Sequence, residues 1–319
     1  MAQEERSGIL GISLIEDQLR IVESKRSNNE FQITHVSQGR VRQPLNFEVF
    51  SDKNIARRFA EDINRLYELQ EFENKNAAFS LDSKMVMIKK IPVDKNLDGK
   101  DLEEQINWEV RQFIISPIEE YIVDYEYLSS STHENLVDML IVVVRKKIID
   151  FLKSVFKQTK LKLKSIDVDI FSAQRALQIN YDYGNSDRIG LIDVEERNIH
   201  ILILEGKNYF ISQDLALPVN NRNLESEETS VSRLISKELR KIILDHQLGR
   251  SVEDLDEIFL YGEALEDRLL EDLQNTHDVR IDRANPFKRI KLVAQAKEGT
   301  SRLQNERFMI SVGAALKEL

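Results

Sequence analysis

Ile106-Asn-Trp-Glu-Val-Arg-Gln-Phe-Ile-Ile-Ser-Pro-Ile-Glu-Glu-Tyr-Ile-Val-Asp-Tyr-Glu-Tyr-Leu128 decides how the rest of the chain is read. It runs an amphipathic helix into a Pro-Ile-Glu-Glu turn and then into a strand. Working outward, Asp101 to Phe113 reads as that helix and Tyr121 to Leu128 as that strand. Met85 to Ile91 is a strand closed by Pro92, and Leu136 to Val144 is a strongly apolar strand. Together these four elements form a small α+β unit bounded on both sides by a different pattern.

On the N-terminal side, Ile9 to Leu14, Leu19 to Ser24 and Phe31 to Gln38 are short apolar or alternating runs. Glu16-Asp17-Gln18 and Ser27-Asn28-Asn29 are the turns between them. Asp52 to Leu69 places Ile55, Phe59, Ile63 and Leu66 at helical spacing, and Ala77 to Leu81 follows as a buried strand. On the C-terminal side, Lys147 to Lys160 is helical, Leu163 to Asp169 a strand and Ile170 to Ile179 a helix. Tyr181-Asp-Tyr-Gly-Asn-Ser-Asp187 is rich in turn formers and marks the expected boundary between two lobes.

After it the pattern restarts. Ile189 to Val194, Ile199 to Leu204 and Asn208 to Asp214 are again three strands, Asn220 to Glu228 is a polar loop, and Val231 to His246 is a helix. Glu257 to Tyr261 is a strand, Ala264 to Leu273 a helix, Val279 to Ile281 a short strand, and Phe308 to Leu319 a closing helix. Asn285 to Asn305 reads mostly as loop. A β-β-β-α-β plan thus occurs twice.

The opening stretch resembles the inserted subdomain of the actin-like PilM proteins, which help assemble type IV pili. That subdomain reads as a helix of the type I-x-x-E-x-x-x-Y/F-I, then P-I-E-E, then a V/L-D-Y/F strand. Val144-Arg-Lys-Lys-Ile-Ile-Asp150 and Leu163-Lys-Ser-Ile-Asp-Val-Asp169 extend the resemblance. It implies an α/β, actin-like (ribonuclease H-like) bilobed fold with a small α+β subdomain inserted in the first lobe. The expected domains are 1–83 with 146–186 as the first lobe, 84–145 as the insert and 187–319 as the second lobe.

Actin-like ATPases hold phosphate on two β-hairpin turns, where glycine lets the backbone approach and aspartate positions Mg²⁺ or water. In PilM-like chains the first turn resembles G-I-D-I-G-S-S-x-V-K, and here it is Gly11-Ile-Ser-Leu-Ile-Glu-Asp-Gln-Leu-Arg20. With Gly11 and Arg20 fixing the register, Ser13 replaces the aspartate, Ile15 the turn glycine, and Glu16 with Asp17 the two serines. A β-branched side chain at Ile15 disfavours positive φ and close approach. A carboxylate about 4 Å from a phosphate charge is repelled by roughly 4 kcal/mol at an intermediate dielectric. The second turn, expected as D-I-G, reads Asp193-Val-Glu-Glu-Arg-Asn-Ile199, with Glu195 where glycine belongs. The adenosine motif, expected as S-G-G-G/A after a strand, keeps Gly262 and sets Glu263 beside it. The ordinary alternatives are a turn aspartate for Asp193 and a turn glycine for Gly262. The short interval from Asp214 to Val231 leaves little room for the family's helical capping subdomain. The motifs agree on an actin-like fold that has lost nucleotide binding, with no catalytic residue, cofactor or metal.

Other chemistry finds little support. His35, His133, His200, His246 and His277 show no H-x-x-x-H spacing and read as solvated or capping residues. Glu103-Glu104, Glu119-Glu120, Glu195-Glu196 and Glu225 to Glu228 read as solvated faces. No G-x-S-x-G, P-loop or G-x-G-x-x-G occurs, and Trp108 reads as core. The formal net charge is −10 with both signs interspersed, which argues against nucleic acid. There are no cysteines, which fits a reducing compartment. The acidic Met1-Ala-Gln-Glu-Glu-Arg start is no signal peptide, and no run approaches the roughly 18 apolar residues of a spanning helix. The expectation is a cytoplasmic protein that is peripheral at the inner membrane only through partners. The closing helix reads as packed rather than as a membrane anchor.

The resemblance implies a scaffold that holds the cytoplasmic N-terminal tail of a PilN-like, single-pass inner-membrane assembly protein. Contact with the assembly ATPase and self-association into a homo-oligomer are further implied partners. In the family a peptide of the type I-N-L-L-P lies in a groove between the first lobe and the insert. Met85, Met87, Ile91 and Phe113 are candidate lining residues, each readable equally as core. Two rivals stand beside this reading: a cytoplasmic platform of a type II secretion system, normally fused to its own membrane helix, and an active actin-like ATPase or sugar kinase using Asp193 and Gly262.

Overall fold

The computed structural model describes residues 8–27, 30–128, 135–217, 230–293, 296 and 304–317. The polar loop expected at 220–228, the acidic run 225–228 and His133 lie outside the described residues. The chain divides into two compact units, 1–175 with 290–303 and 310–319, and 176–289 with 304–309.

In the first unit, β1 (Ile9–Ile15), β2 (Gln18–Ser27) and β3 (Glu30–Arg40) form the expected antiparallel meander. Helix α1 (Lys53–Glu68) starts at Asp52, whose side chain accepts from the Asn54 amide. It carries the chain back to β4 (Asn76–Leu81), parallel to β1. The insert follows with β5 (Val86–Asp94), α2 (Gly99–Arg111), β6 (Tyr121–Tyr127) and β7 (Leu136–Arg145). Then come α3 (Lys146–Phe156) and β8 (Lys162–Val168), which runs parallel to β4. One face of the main sheet packs on α1 and α3 through Ile12, Phe59, Ile63, Phe79, Leu152 and Phe156. Aromatic edges meet there, with Phe59 and Phe156 centroids 6.3 and 6.0 Å from that of Phe79.

The insert sheet has the order β5-β7-β6, all antiparallel. Strand β5 runs through Pro92, which its place at the sheet edge permits, so the proline does not end the strand as expected. Along α2 the buried residues are Leu102, Ile106 and Val110. Trp108 lies on the opposite side, 59% exposed, and is not a core residue. It sits two residues from Ile106 and from Val110, about 200° around the helix from either.

The second unit begins within α4 (Asp169–Asn180) and repeats the plan with β9 (Arg188–Val194), β10 (Asn198–Glu205) and β11 (Asn208–Ala216). Helix α5 (Val231–Asp245), β12 (Glu257–Tyr261), α6 (Asp267–Thr276) and β13 (Arg280–Arg283) follow. The sheet order β11-β10-β9-β12-β13 reproduces β3-β2-β1-β4-β8 of the first unit. Ile192, Ile201, Ile235, Leu239, Ile243, Ile258 and Leu260 fill its core.

Two assignments differ from expectation at the C-terminal end. Lys291–Leu292, inside the stretch read as loop, forms β14 beside β3. The last helix, α7 (Met309–Ala315), belongs from Ile310 onward to the first unit rather than the second. Its small residues explain why. An added Cβ on Gly11 would come within 2.0 Å of the Ser311 carbonyl oxygen and 2.3 Å of the Ala315 nitrogen. One on Gly313 would come within 1.7 Å of the Ser172 carbonyl oxygen. Strand, helix and helix are in backbone contact, and the Ser24 hydroxyl donates to the Ala315 carbonyl.

Candidate functional site

In a β-strand successive side chains point to opposite faces, and the insert sheet uses both faces. Along β7, Met139, Ile141 and Val143 pack toward α2 with Ile91, Val93 and Tyr121. The alternate residues Leu140, Val142 and Val144 line a cavity of about 1000 Å³ on the other face. Register extends that face onto the neighbours. Val86 of β5 pairs with Val144, and Ile122, Asp124 and Glu126 of β6 pair with Val144, Val142 and Leu140. Across the cavity stand Ile149, Lys153 and Phe156 of α3, its C-cap Lys157, and all of β8.

The result is a groove between the insert and the main sheet of the first unit, walled by two sheet edges. Strand β8 ends the order of the main sheet and β6 ends that of the insert. Register between β4 and β8 slips at Lys164, an extra residue opposite the Ala77–Ala78 step. A bulge of this kind turns a strand edge away from regular pairing. At one end Asp167 is 8% exposed and binds Arg175 at 2.8 Å, the Ser172 hydroxyl at 3.3 Å and Lys317 at 3.6 Å. Those two cations are neutralised within the groove.

The two hairpin turns are built differently. In the first unit, Ile15 pairs with Gln18, so the turn is Glu16-Asp17 alone. Ile15 is a strand residue, 4% exposed, and not the turn position it was aligned to. The positive φ expected of a glycine falls one residue later, on Glu16 at 52°. Asp17 accepts from Gln18 Nε2 at 2.8 Å, and its carbonyl accepts from the Val41 amide at 2.8 Å. Ser13 is buried in β1 between Arg20 and Ser80 of the flanking strands.

In the second unit, Asp193 is a strand residue rather than a turn residue, buried between His200 of β10 and Tyr261 of β12. Glu195 is 1% exposed, so the pair Glu195-Glu196 is not a solvated face. Its backbone N–H donates to the Asn198 carbonyl at 2.9 Å, closing the turn on itself. His200 donates from Nδ1 to Asp214 at 2.6 Å and places Nε2 3.6 Å from the Glu195 carboxylate. Gly262 has φ of 119°, and an added Cβ would come within 2.3 Å of Asp193 Oδ1 and 2.4 Å of the Val194 carbonyl. This glycine serves the close approach of the chain to β9. Glu263 follows it with its side chain 3.9 Å from Arg307.

Three histidines are buried partners of carboxylates rather than solvated residues. They are His200, His35 with Glu23 at 2.8 Å, and His277, which meets Ser236 at 2.7 Å and Glu253 at 3.1 Å. Among the described residues no group of three or more His, Asp or Glu has the arrangement to hold a metal ion. No helix among them is long and apolar enough to cross a membrane.

Over residues 11–218, more than half of the chain, the sequence matches the family described as type IV pilus assembly protein PilM. The chain belongs to the PilM family. Its structure is similar to a PilM-PilN type IV pilus biogenesis complex, with a TM-score of 0.78 at 18% identity, covering 98% of each chain. It is also similar to a Bacteroides thetaiotaomicron protein of actin-like ATPase fold and unknown function. There the TM-score is 0.50 at 14% identity, over 90% of this chain and 95% of that one. At these identities the likeness shows the fold, which is actin-like.

Within this PilM-family chain the four candidate groove residues fall elsewhere. Met85 is in the core of the main sheet, and Ile91 in that of the insert. Met87 and Phe113 pack against the insert core, with Lys89 5.0 Å from the Phe113 ring centre. None of the four lines the cavity. Val86, one residue from both Met85 and Met87, lines the groove. Ile122, Tyr125, Val142, Lys153 and Lys164 were not singled out. Register finds Ile122, Val142 and Lys164, which follow from pairing β6, β7 and β8 against their neighbours, whereas Tyr125 and Lys153 reach the groove from outside that pattern.

Proposed function

We propose that this chain is a cytoplasmic scaffold of a type IV pilus-like assembly machine. Its groove holds the N-terminal tail of a PilN-like, single-pass inner-membrane protein, and that tail ties the scaffold to the membrane. The groove itself is the observation that carries the reading. It is long and partly apolar, and it is flanked by two sheet edges whose main-chain groups suit an extended peptide. The matched family and the PilM-PilN likeness support it.

We further propose that the chain works without nucleotide. A phosphate needs backbone N–H groups at close range, and the two turns offer carboxylates instead. Glu16 and Asp17 fill the first, and buried Glu195 stands in the second beside buried Asp193 of β9. Backbone and side-chain atoms of β9 already fill the space beside Gly262. These residues do not fit a triphosphate. Calorimetry with Mg·ATP tests this half, and saturable binding below about 1 mM, or roughly −4 kcal/mol, overturns it.

The groove half is tested with a labelled INLLP-type peptide. Val142→Arg places a charge on the groove floor and Tyr125→Ala removes an exposed wall residue. Both should weaken binding at least tenfold while circular dichroism and melting stay near wild type. Wild-type affinity in both variants overturns the groove assignment.

A further inference from the structure

The groove's charge is divided between its walls. Lys153, Lys157, Lys162 and Lys164 line the α3–β8 side, and all four are exposed. None of them makes an ion pair within 4 Å among the described residues, in contrast to Arg175 and Lys317 on Asp167. Opposite them, the charged lining residues of β6 are Asp124 and Glu126. A chain with a formal net charge of −10 thus presents a local excess of unneutralised cations along this groove. Positions 153 and 157 are one helical turn apart, so both ammonium groups rise from the same side of α3. Lys164 is the bulge residue of β8, which sets it outside the regular ladder.

We propose that the occupant of this groove is an extended apolar segment flanked by carboxylates, with its acidic residues turned toward α3 and β8. The inference rests on the groove reading above and adds the chemistry of the partner. Apolar side chains of the segment meet Leu140, Val142 and Val144. Carboxylates on its flank meet Lys153, Lys157 and Lys164, cations that no described residue of the chain already neutralises. An acid-flanked segment also keeps its distance from Asp124 and Glu126 by lying toward the opposite wall. Complementarity of this kind raises the rate of encounter and selects among tails of similar apolar content.

Three labelled peptides with the same INLLP core test it on the full chain, carrying two flanking glutamates, serines or lysines. Exposed charge pairs are individually weak, so the acidic peptide should bind about three- to tenfold tighter than the serine peptide at about 50 mM salt. The lysine peptide should bind weakest, and the spread should collapse at about 0.5 M salt. Lys153→Glu with Lys157→Glu changes two exposed residues and should reverse the order. Equal affinities that Val142→Arg abolishes would leave the groove reading standing and overturn the charge inference, as would tightest binding of the lysine peptide. Affinities that Val142→Arg leaves untouched, or no binding by any of the three, would overturn the groove reading itself and this inference with it.

Discussion

Along the groove, residues facing open space alternate with residues facing the core. At the two hairpin turns, by contrast, Gly11, Glu195 and Gly262 face other atoms of the protein. Leu140, Val142 and Val144 contribute nothing to the insert core that Met139, Ile141 and Val143 do not already supply. Gly11, Glu195 and Gly262, in contrast, are tied to α7, to the turn backbone and to β9. The comparison separates two meanings of a retained motif. A residue kept for a ligand faces space, and a residue kept for packing faces other atoms of its own chain. By that criterion the groove suits the partner proposed above, and Gly11 and Gly262 serve packing within their own units.

The largest effects should come from those glycines. Gly11→Val drives a branched side chain into the backbone of α7, where even a Cβ comes within 2.0 Å of Ser311 O. Neither backbone can yield cheaply, and a loss of about 3 kcal/mol or more is expected in urea unfolding. Gly262→Ala adds a strained φ to a Cβ 2.3 Å from Asp193 Oδ1 and should cost about 2–4 kcal/mol. A variant at either glycine that melts like the wild type would show that the position is open, as a ligand cradle would be.

Next comes a carboxylate that is buried, unlike the half-buried acids of the first turn. Glu23 of β2 is fully buried and accepts five hydrogen bonds. They come from Thr34 Oγ1, His35 Nδ1, the Glu73 and Asn74 backbone amides, and Asn74 Nδ2. Burial alone would raise its pKa, but the bonds from Thr34, Asn74, His35 and Glu73 outweigh it and hold the carboxyl below its ordinary value. A depressed carboxylate stabilises the fold fully above its unfolded value of about 4.5, and that contribution is lost as pH falls through the lower folded value. Glu23→Ala should therefore cost about 2–4 kcal/mol at pH 7, leaving buried donors without a partner. The cost should shrink steadily in melts taken below pH 4.5. An Ala variant whose deficit is the same at pH 3 and pH 7 would place the stabilisation elsewhere.

The elements of this fold were legible because their periods are clean. The meander, the repeated β-β-β-α-β order and the α2–turn–β6 stretch all stand in the structure within a few residues of their expected bounds. The faces were not legible, for a physical reason. Val86, Met87 and Ile88 are consecutive apolar, half-buried residues on a strand with α2 on one face and the groove on the other. Alternation therefore cannot say which faces α2 and which the groove, and a shift of one residue exchanges them. The same ambiguity hides Leu140 and Val142 in an unbroken apolar run. Trp108 misled in the other direction, since its hydrophobicity suggested burial while its angle from the Leu102–Ile106–Val110 stripe set it outside. Glu195 and Asp193 could be placed on a turn motif from sequence. Their burial could not, because it depends on His200 and on a glycine far along the chain.

The smallest effect bears most directly on the history of the first turn. Glu16 holds φ at 52°, a conformation that costs a non-glycine residue roughly 1 kcal/mol and costs glycine nothing in the folded state. Glycine loses more freedom on folding, so Glu16→Gly should raise stability by no more than about 0.5–1 kcal/mol. The turn therefore has a backbone that suits glycine at position 16, one residue after the position aligned with the family's glycine. Glu16→Gly combined with Asp17→Ser should fold as well as the wild type and still fail to bind Mg·ATP, because Glu195 remains buried in the second turn beside Asp193 of β9. Sub-millimolar nucleotide binding by the double variant would mean that the first turn alone had closed the site, and the contrast between a filled cradle and an open groove would then rest on two residues.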